Sequence, residues 1–284
     1  MLDVVSVALR ALSFLFLLQA TGVALFIAIF GRHLSNSGEP IRRLGRWSAL
    51  IGLVCVAAHY GLEAARLAGD LSGMWDTSLQ ATVLQSASGT AFAVRVLGLS
   101  LVALALRRAG TLALALGIIG AVTAAASFML VGHTSVHPQR RFLAPLLIIH
   151  LLIVAFWIGA LLPLQIASLR EAPGTLAKLV HAFSAVAAWL VPGILLAGLG
   201  LTIFLVPSIE VFRQPYGLLL LTKVAAFMLL MSLAALNKWW LGPALVRGER
   251  YRRLAFQRSL LAEYLLLFAA LTVTAVMTTF FSPQ

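Results

Sequence analysis

Residues 143–169 read LAPLLIIHLLIVAFWIGALLPLQIASL, a run without one charged side chain. A helix rises 1.5 Å per residue and the hydrocarbon core of a bilayer is about 30 Å thick, so roughly 20 apolar residues are enough to cross it. The rest of the chain is built in the same way. Of its 284 residues 61% are hydrophobic and 11% charged, and the mean hydropathy is +1.01. Soluble domains carry about 45–50% apolar and about 25% charged residues. These proportions exclude a soluble domain, a disordered tail and a nucleic-acid binder. The apolar stretches run unbroken instead of alternating over segments of about ten residues, which favours helices over a barrel.

The expected fold is therefore all-α: a polytopic integral membrane bundle of eight transmembrane helices, forming a single membrane domain over 1–284 in the lipid bilayer. Spans are expected near 4–31, 44–67, 84–106, 111–132, 143–169, 177–206, 216–242 and 256–281. Helix-breaking groups fall between them, among them Asn36-Ser37-Gly38-Glu39-Pro40, Ala109-Gly110, His137-Pro138, Ala172-Pro173-Gly174 and Gln214-Pro215. The connection over 68–83, with Gly69, Gly73, Met74, Trp75 and Asp76, is expected to form a re-entrant or interfacial cap. Met1-Leu2-Asp3 lacks a basic n-region and a cleavage pattern, so the first stretch is expected to remain as a helix.

Of the 21 Lys and Arg residues, 14 lie in connections 1–2, 3–4, 5–6 and 7–8 and four on the opposite side. The excess of basic residues in cytoplasmic loops then places both termini outside. The same bias accounts for the net charge of +12 without a nucleic-acid partner. Asp3, Asp70, Asp76 and Glu210 collect on the outer side, where an acidic mouth would suit a cation. The single cysteine, Cys55, leaves no intramolecular disulfide and no paired-thiolate metal site.

Ionisable groups inside spans cost about 2.5–3.5 kcal/mol each on insertion scales and so call for an explanation. They are His59 and Glu63 in span 2, Arg95 in span 3, His150 in span 5, His181 in span 6, Lys223 in span 7 and Glu263 in span 8. His59 and Glu63 are spaced i,i+4, which sets them on one helix face. Glu63 there suits a carboxylate orienting the ring of a metal-bound His59. Met129 and His133 share that spacing at the end of span 4, and thioether with imidazole favours a soft metal, Cu(I) first. His137 lies just beyond, as an entry ligand. His150 stands alone in its span and must find its partner on another helix. His59, His133 and His150 come out at similar depth, so the chain is expected to hold one outer metal site made by these three, with Met129 and His137 at its entrance. His33 and His181 fit capping positions at cytoplasmic helix ends. Arg95 needs an acidic partner, with Glu63 or Glu263 available, or a water-filled cavity, and Lys223 can snorkel outward. Two histidines at matching depth also suit a membrane b-type cytochrome with a bis-His haem.

Certain strings carry a resemblance. His150-Leu-Leu-Ile-Val-Ala-Phe-Trp157-Ile-Gly159, Phe183-Ser184, Tyr216-Gly217 leading to Lys223, Ala234-Ala235-Leu-Asn237-Lys238 and Arg258-Ser259-Leu-Leu-Ala-Glu263 occur in an order and spacing that resemble the copper resistance protein D family, the CopD and PcoD type. Gly132-His133 adds to it. The resemblance covers residues 130–280 well and the first hundred through hydropathy and topology. It implies an eight-helix protein of the bacterial inner membrane that moves copper ions between periplasm and cytoplasm, inward, alongside a periplasmic copper-binding partner of the CopC type. It supplies no ligand set; Asn237, Glu263, Glu63, Arg95 and Lys223 stand as candidates for a supporting shell or an ion and proton pathway. No nucleotide-binding loop or phosphorylated-aspartate motif is visible, so a transporter is expected and not an enzyme.

Overall fold

The computed structural model describes residues 2–206, 208–243 and 250–281, with residues 133, 134, 250 and 251 described by their backbone alone. Among the described residues ten α-helices follow one another: α1 (Leu2–Phe30), α2 (Gly38–Ala68), α3 (Thr77–Gln85), α4 (Ala87–Ala105), α5 (Thr111–Ala126), α6 (His133–Val136), α7 (Arg140–Arg170), α8 (Pro173–Leu205), α9 (Pro215–Leu236) and α10 (Arg250–Phe280). All but the short α3 and α6 belong to the eight segments long and apolar enough to cross a membrane, each where the sequence places one. Both chain ends lie at one end of the bundle, where the Arg10 guanidinium donates to the Thr278 carbonyl at 2.7 Å. We call this the terminal end and its opposite, where Arg42, Arg46, Arg107, Arg108 and Arg170 fall, the basic end.

α1 is the central post. Leu17, Leu18, Phe26 and Phe30 are buried in a core completed by Leu99 of α4 and by Ile158, Leu161 and Leu164 of α7. Its crossing with α7 is set by two glycines. A Cβ on Gly22 would lie 1.7 Å from the Ala155 carbonyl oxygen, and one on Gly159 would lie 2.3 Å from the Gly22 Cα. Lipid supplies no hydrophobic drive between helices, so close backbone approach at small residues is what holds such a pair.

α2 starts six residues earlier than its sequence expectation, at Gly38. Pro40 is tolerated because the N–H groups of a first turn have no intrahelical partner. The turn that leads into the helix is held from far along the chain. The buried Glu171 carboxylate accepts from the backbone N–H of Asn36 and Ser37, each at 2.9 Å, and from the Ser37 hydroxyl. Burial pushes the Glu171 carboxyl up, but the hydrogen bonds from Ser37 and Asn36 outweigh it and hold it below the ordinary carboxylate range. A depressed folded-state value means that the stabilisation is fully present above the unfolded value and is lost as pH falls through the folded one. Glu171→Gln is accordingly expected to lower stability at neutral pH by about 2 kcal/mol, the scale of hydrogen bonds to a charged group. The gap to wild type should close below about pH 4, near the ordinary carboxylate value; thermal unfolding in detergent across that range checks it.

The connection after α2 forms the expected cap. The 3₁₀ turn Leu71–Trp75 and α3 fold over the ends of α2 and α4, with the Tyr60 hydroxyl donating to the Gln80 carbonyl at 3.1 Å. Asp70 and Asp76 head these two turns and accept from Ser72 and from Ser78 and Leu79. The Ser72 and Ser78 hydroxyls first, then backbone N–H groups, hold both carboxyls below their ordinary value. Asp3 lies 3.4 Å from Arg66. Three of the four acids of the expected mouth are thus engaged locally. α8 and α9 sit at the periphery: of α9, Gly217 and Leu230 alone are buried among the described residues.

Candidate functional site

Among the described residues two polar clusters lie in the bundle, with one histidine between them in depth. At the terminal end His59 of α2 is 8% exposed. Its Nε2 accepts from the Arg10 Nε–H at 3.2 Å, and its Nδ1 lies 3.9 Å from Glu63 Oε1. A guanidinium only donates, so the ring offers its Nε2 lone pair and carries its proton on Nδ1, toward Glu63. Glu63 and Arg66 also line a cavity of about 510 Å³ with Thr82, Ser86 and Ser88. Arg95 of α4 stands beside this cluster. Its Nε donates to Ser127 Oγ at 3.1 Å, and its guanidinium lies 4.7 Å from the Phe128 ring centroid.

The second cluster joins α7, α9 and α10. The Glu263 carboxylate, 2% exposed, accepts from Trp157 Nε1 at 3.3 Å on one oxygen and from Asn237 Nδ2 at 2.5 Å on the other. Asn237 opens a π-helical turn, Asn237–Leu241, which continues α9. Such turns leave backbone groups out of register and recur at functional positions. The Asn237 Oδ1 and Ser259 Oγ atoms are buried without a hydrogen-bond partner, which leaves unused ligand or proton-relay capacity beside the carboxylate.

Relative depth follows from the helix contacts. Gly22 of α1 abuts Ala155 and Gly159 of the parallel α7, so Trp157 is level with Gly22. Arg10 lies twelve residues earlier on α1, about 18 Å nearer the terminal end. His150 lies seven residues before Trp157, about 10 Å nearer that end and on the same face of α7. It falls between the two clusters. Its Nδ1 is buried without a partner, and its ring edge faces Gly198 of α8.

The structure brings together His59 with Glu63, and Glu263 with Asn237. Other pairings differ from expectation. Arg95 is held by a hydroxyl and a ring, with the Glu63 charge acting on it, whereas both Glu263 oxygens go to Trp157 and Asn237. Met129 and His133 do not share a helix face: α5 ends at Ala126, Ser127–Leu130 is a 3₁₀ turn, Val131 is extended and Gly132 has φ +80°. The backbone reverses between them, a conformation open to glycine. His133 heads α6, and its side chain lies outside the described residues. His137 lies in the turn before α7, its Nδ1 accepting from the Gln139 N–H at 3.1 Å. Among the described residues no three His, Cys, Asp or Glu side chains gather closely enough to hold a metal ion. Sequence reasoning missed Arg10 and Trp157 as members of these clusters. Arg10 carries the same insertion cost as the residues singled out, and Trp157 is spaced i+7 from His150, a signal that could have found it.

Comparison with known proteins gives concordant matches over most of the chain. The family model described as copper resistance protein D matches residues 177–277, and that described as copper resistance protein D-like, N-terminal domain, matches residues 1–139. Copper resistance protein D of Pseudomonas syringae pv. tomato is 30% identical over 269 residues, covering 87% of this chain and 85% of the relative. No solved structure matches the chain.

Proposed function

Because this chain belongs to the copper resistance protein D family, we propose that it carries copper ions across the bacterial inner membrane. The ion is received at the periplasmic face and passes inward. Both termini are periplasmic in this reading, as the distribution of basic residues requires under the orientation rule. The chain acts as one membrane unit, since α1 of its first half and α7 of its second share one core. No match carries a haem description, so a bis-His cytochrome gains nothing from the comparisons.

The observation that supports transport best is the descent of polar stations through the bundle: His59 with Glu63, then His150 about 8 Å deeper, then Glu263 with Asn237 about 10 Å deeper again. Copper enters at Met129, His137 and His133, engages His59 and His150, and leaves past the inner carboxylate. Imidazole and thioether are the soft donors available where the lone cysteine cannot pair. Arg10 donates to the His59 Nε2 lone pair. An arriving cation must displace that guanidinium, which still has the Thr278 carbonyl to hold it. Lys223 and Arg95 place positive charge beside the route, discouraging an ion from resting in it. A soluble periplasmic copper carrier of the CopC type would suit the donor side.

Metal analysis of purified protein, combined with cellular copper accumulation with and without the gene, tests this. Wild type is expected to retain copper in the absence of haem absorbance. His150→Ala should lower its copper content and the accumulation together by at least about tenfold, the ~1.4 kcal/mol scale of one lost ligand interaction. Unchanged copper content in both His59→Ala and His150→Ala removes these stations from the route.

A further inference from the structure

The π-helical turn has a second face. Asn237 points inward to Glu263, while Lys238 and Trp239 line a groove of about 400 Å³ at the basic end. Across the groove stands one face of α8, with His181 and Ser184 among small residues that include Ala185 and Ala188. Lys238, Trp239 and His181 are exposed, and Trp239 and Trp240 are each 68% exposed. Tryptophan indoles side by side with a lysine at a span end are the composition of the membrane–water boundary. Beyond Ala188 the surface of α8 is apolar and uncovered, with Trp189 84% and Leu196 70% exposed.

We propose that this groove is a binding site for an anionic phospholipid, whose phosphate lies between Lys238 and His181 and whose acyl chain runs along α8. Charge complementarity selects the headgroup. Among the described side chains lining the groove there is a cationic amine, an imidazole with an N–H to give in either tautomer, a hydroxyl and no carboxylate. The alanines leave room for a chain to lie close to the helix. A phosphate held there fixes the turn that presents Asn237 to Glu263, so lipid occupancy steadies the inner cluster. The site does not depend on which ion the protein carries.

Full-length protein reconstituted in phosphatidylcholine vesicles, with or without phosphatidylglycerol, and then extracted for native mass spectrometry gives the test. Wild type is expected to retain phosphatidylglycerol selectively and to unfold at higher temperature with it. Lys238→Gln should weaken retention about fivefold, the weight of one basic residue near an anionic surface. Trp239→Ala, which keeps the charge, should also weaken it, and Arg108→Gln, at the same end but outside the groove, should leave it unchanged. Equal loss in Lys238→Gln and Arg108→Gln, or no loss in either groove variant, overturns the proposal. A thermal shift reproduced by inorganic phosphate alone in phosphatidylcholine vesicles overturns it as well, assigning the groove to a free anion.

Discussion

Gly159→Ala and Gly22→Ala are each expected to deplete the folded protein. The added methyl meets backbone on the partner helix in both cases, 1.7 Å from the Ala155 oxygen for Gly22 and 2.3 Å from the Gly22 Cα for Gly159. No rotamer change can make room, so α1 and α7 must separate along their crossing. Overpacking costs about 1–3 kcal/mol where side chains can yield and more where they cannot, against a total stability of about 5–15 kcal/mol. Gly174→Ala supplies the contrast, since nothing lies within 4 Å of a Cβ there. Monomer yield by size exclusion after detergent extraction should fall severalfold for the first two variants and hold for the third. Equal yields for all three would mean that the two helices do not cross at these glycines.

Glu263→Gln is expected to fold and to fail in transport. The carboxylate now accepts from Trp157 on one oxygen and Asn237 on the other. A glutamine can present its oxygen to Trp157 and its amide N–H groups to Asn237, which turns its own amide to offer Oδ1. The indole has no such freedom, but it keeps an acceptor. Glu263→Ala leaves both donors unpaired in a buried site, at about 1–3 kcal/mol for each, and should lose folded protein instead. Copper flux per folded molecule should drop at least tenfold in Glu263→Gln while yield and melting temperature stay near wild type. If its yield falls as far as that of Glu263→Ala with flux per molecule intact, the carboxylate is a structural anchor only.

The spans are legible in the sequence because each is a long charge-free run bounded by Gly, Pro or paired arginines, a property of consecutive residues. The buried ionisable groups are legible for the same reason, since the insertion cost applies one residue at a time. Their partners are not. Arg95 satisfies itself with Ser127 and Phe128, groups that carry no charge signal, and Glu263 meets an indole and an amide from two other helices. The carboxylate that holds the turn before α2 lies 134 residues beyond Ser37, so no local pattern announces it. Met129 and His133 show the opposite failure. Their spacing assumes a helix that ends at Ala126, and the 3₁₀ turn, the extended Val131 and the positive φ of Gly132 that follow undo the face argument.

Copper uptake by proteoliposomes tests the central claim most directly. Purified wild-type protein, reconstituted in tight vesicles with copper supplied outside and a copper-sensitive dye within, is expected to admit copper well above protein-free vesicles, and His150→Ala inserted at equal density to admit little. Wild-type uptake no greater than that of empty vesicles, with the protein shown folded in the same membranes, would contradict the account.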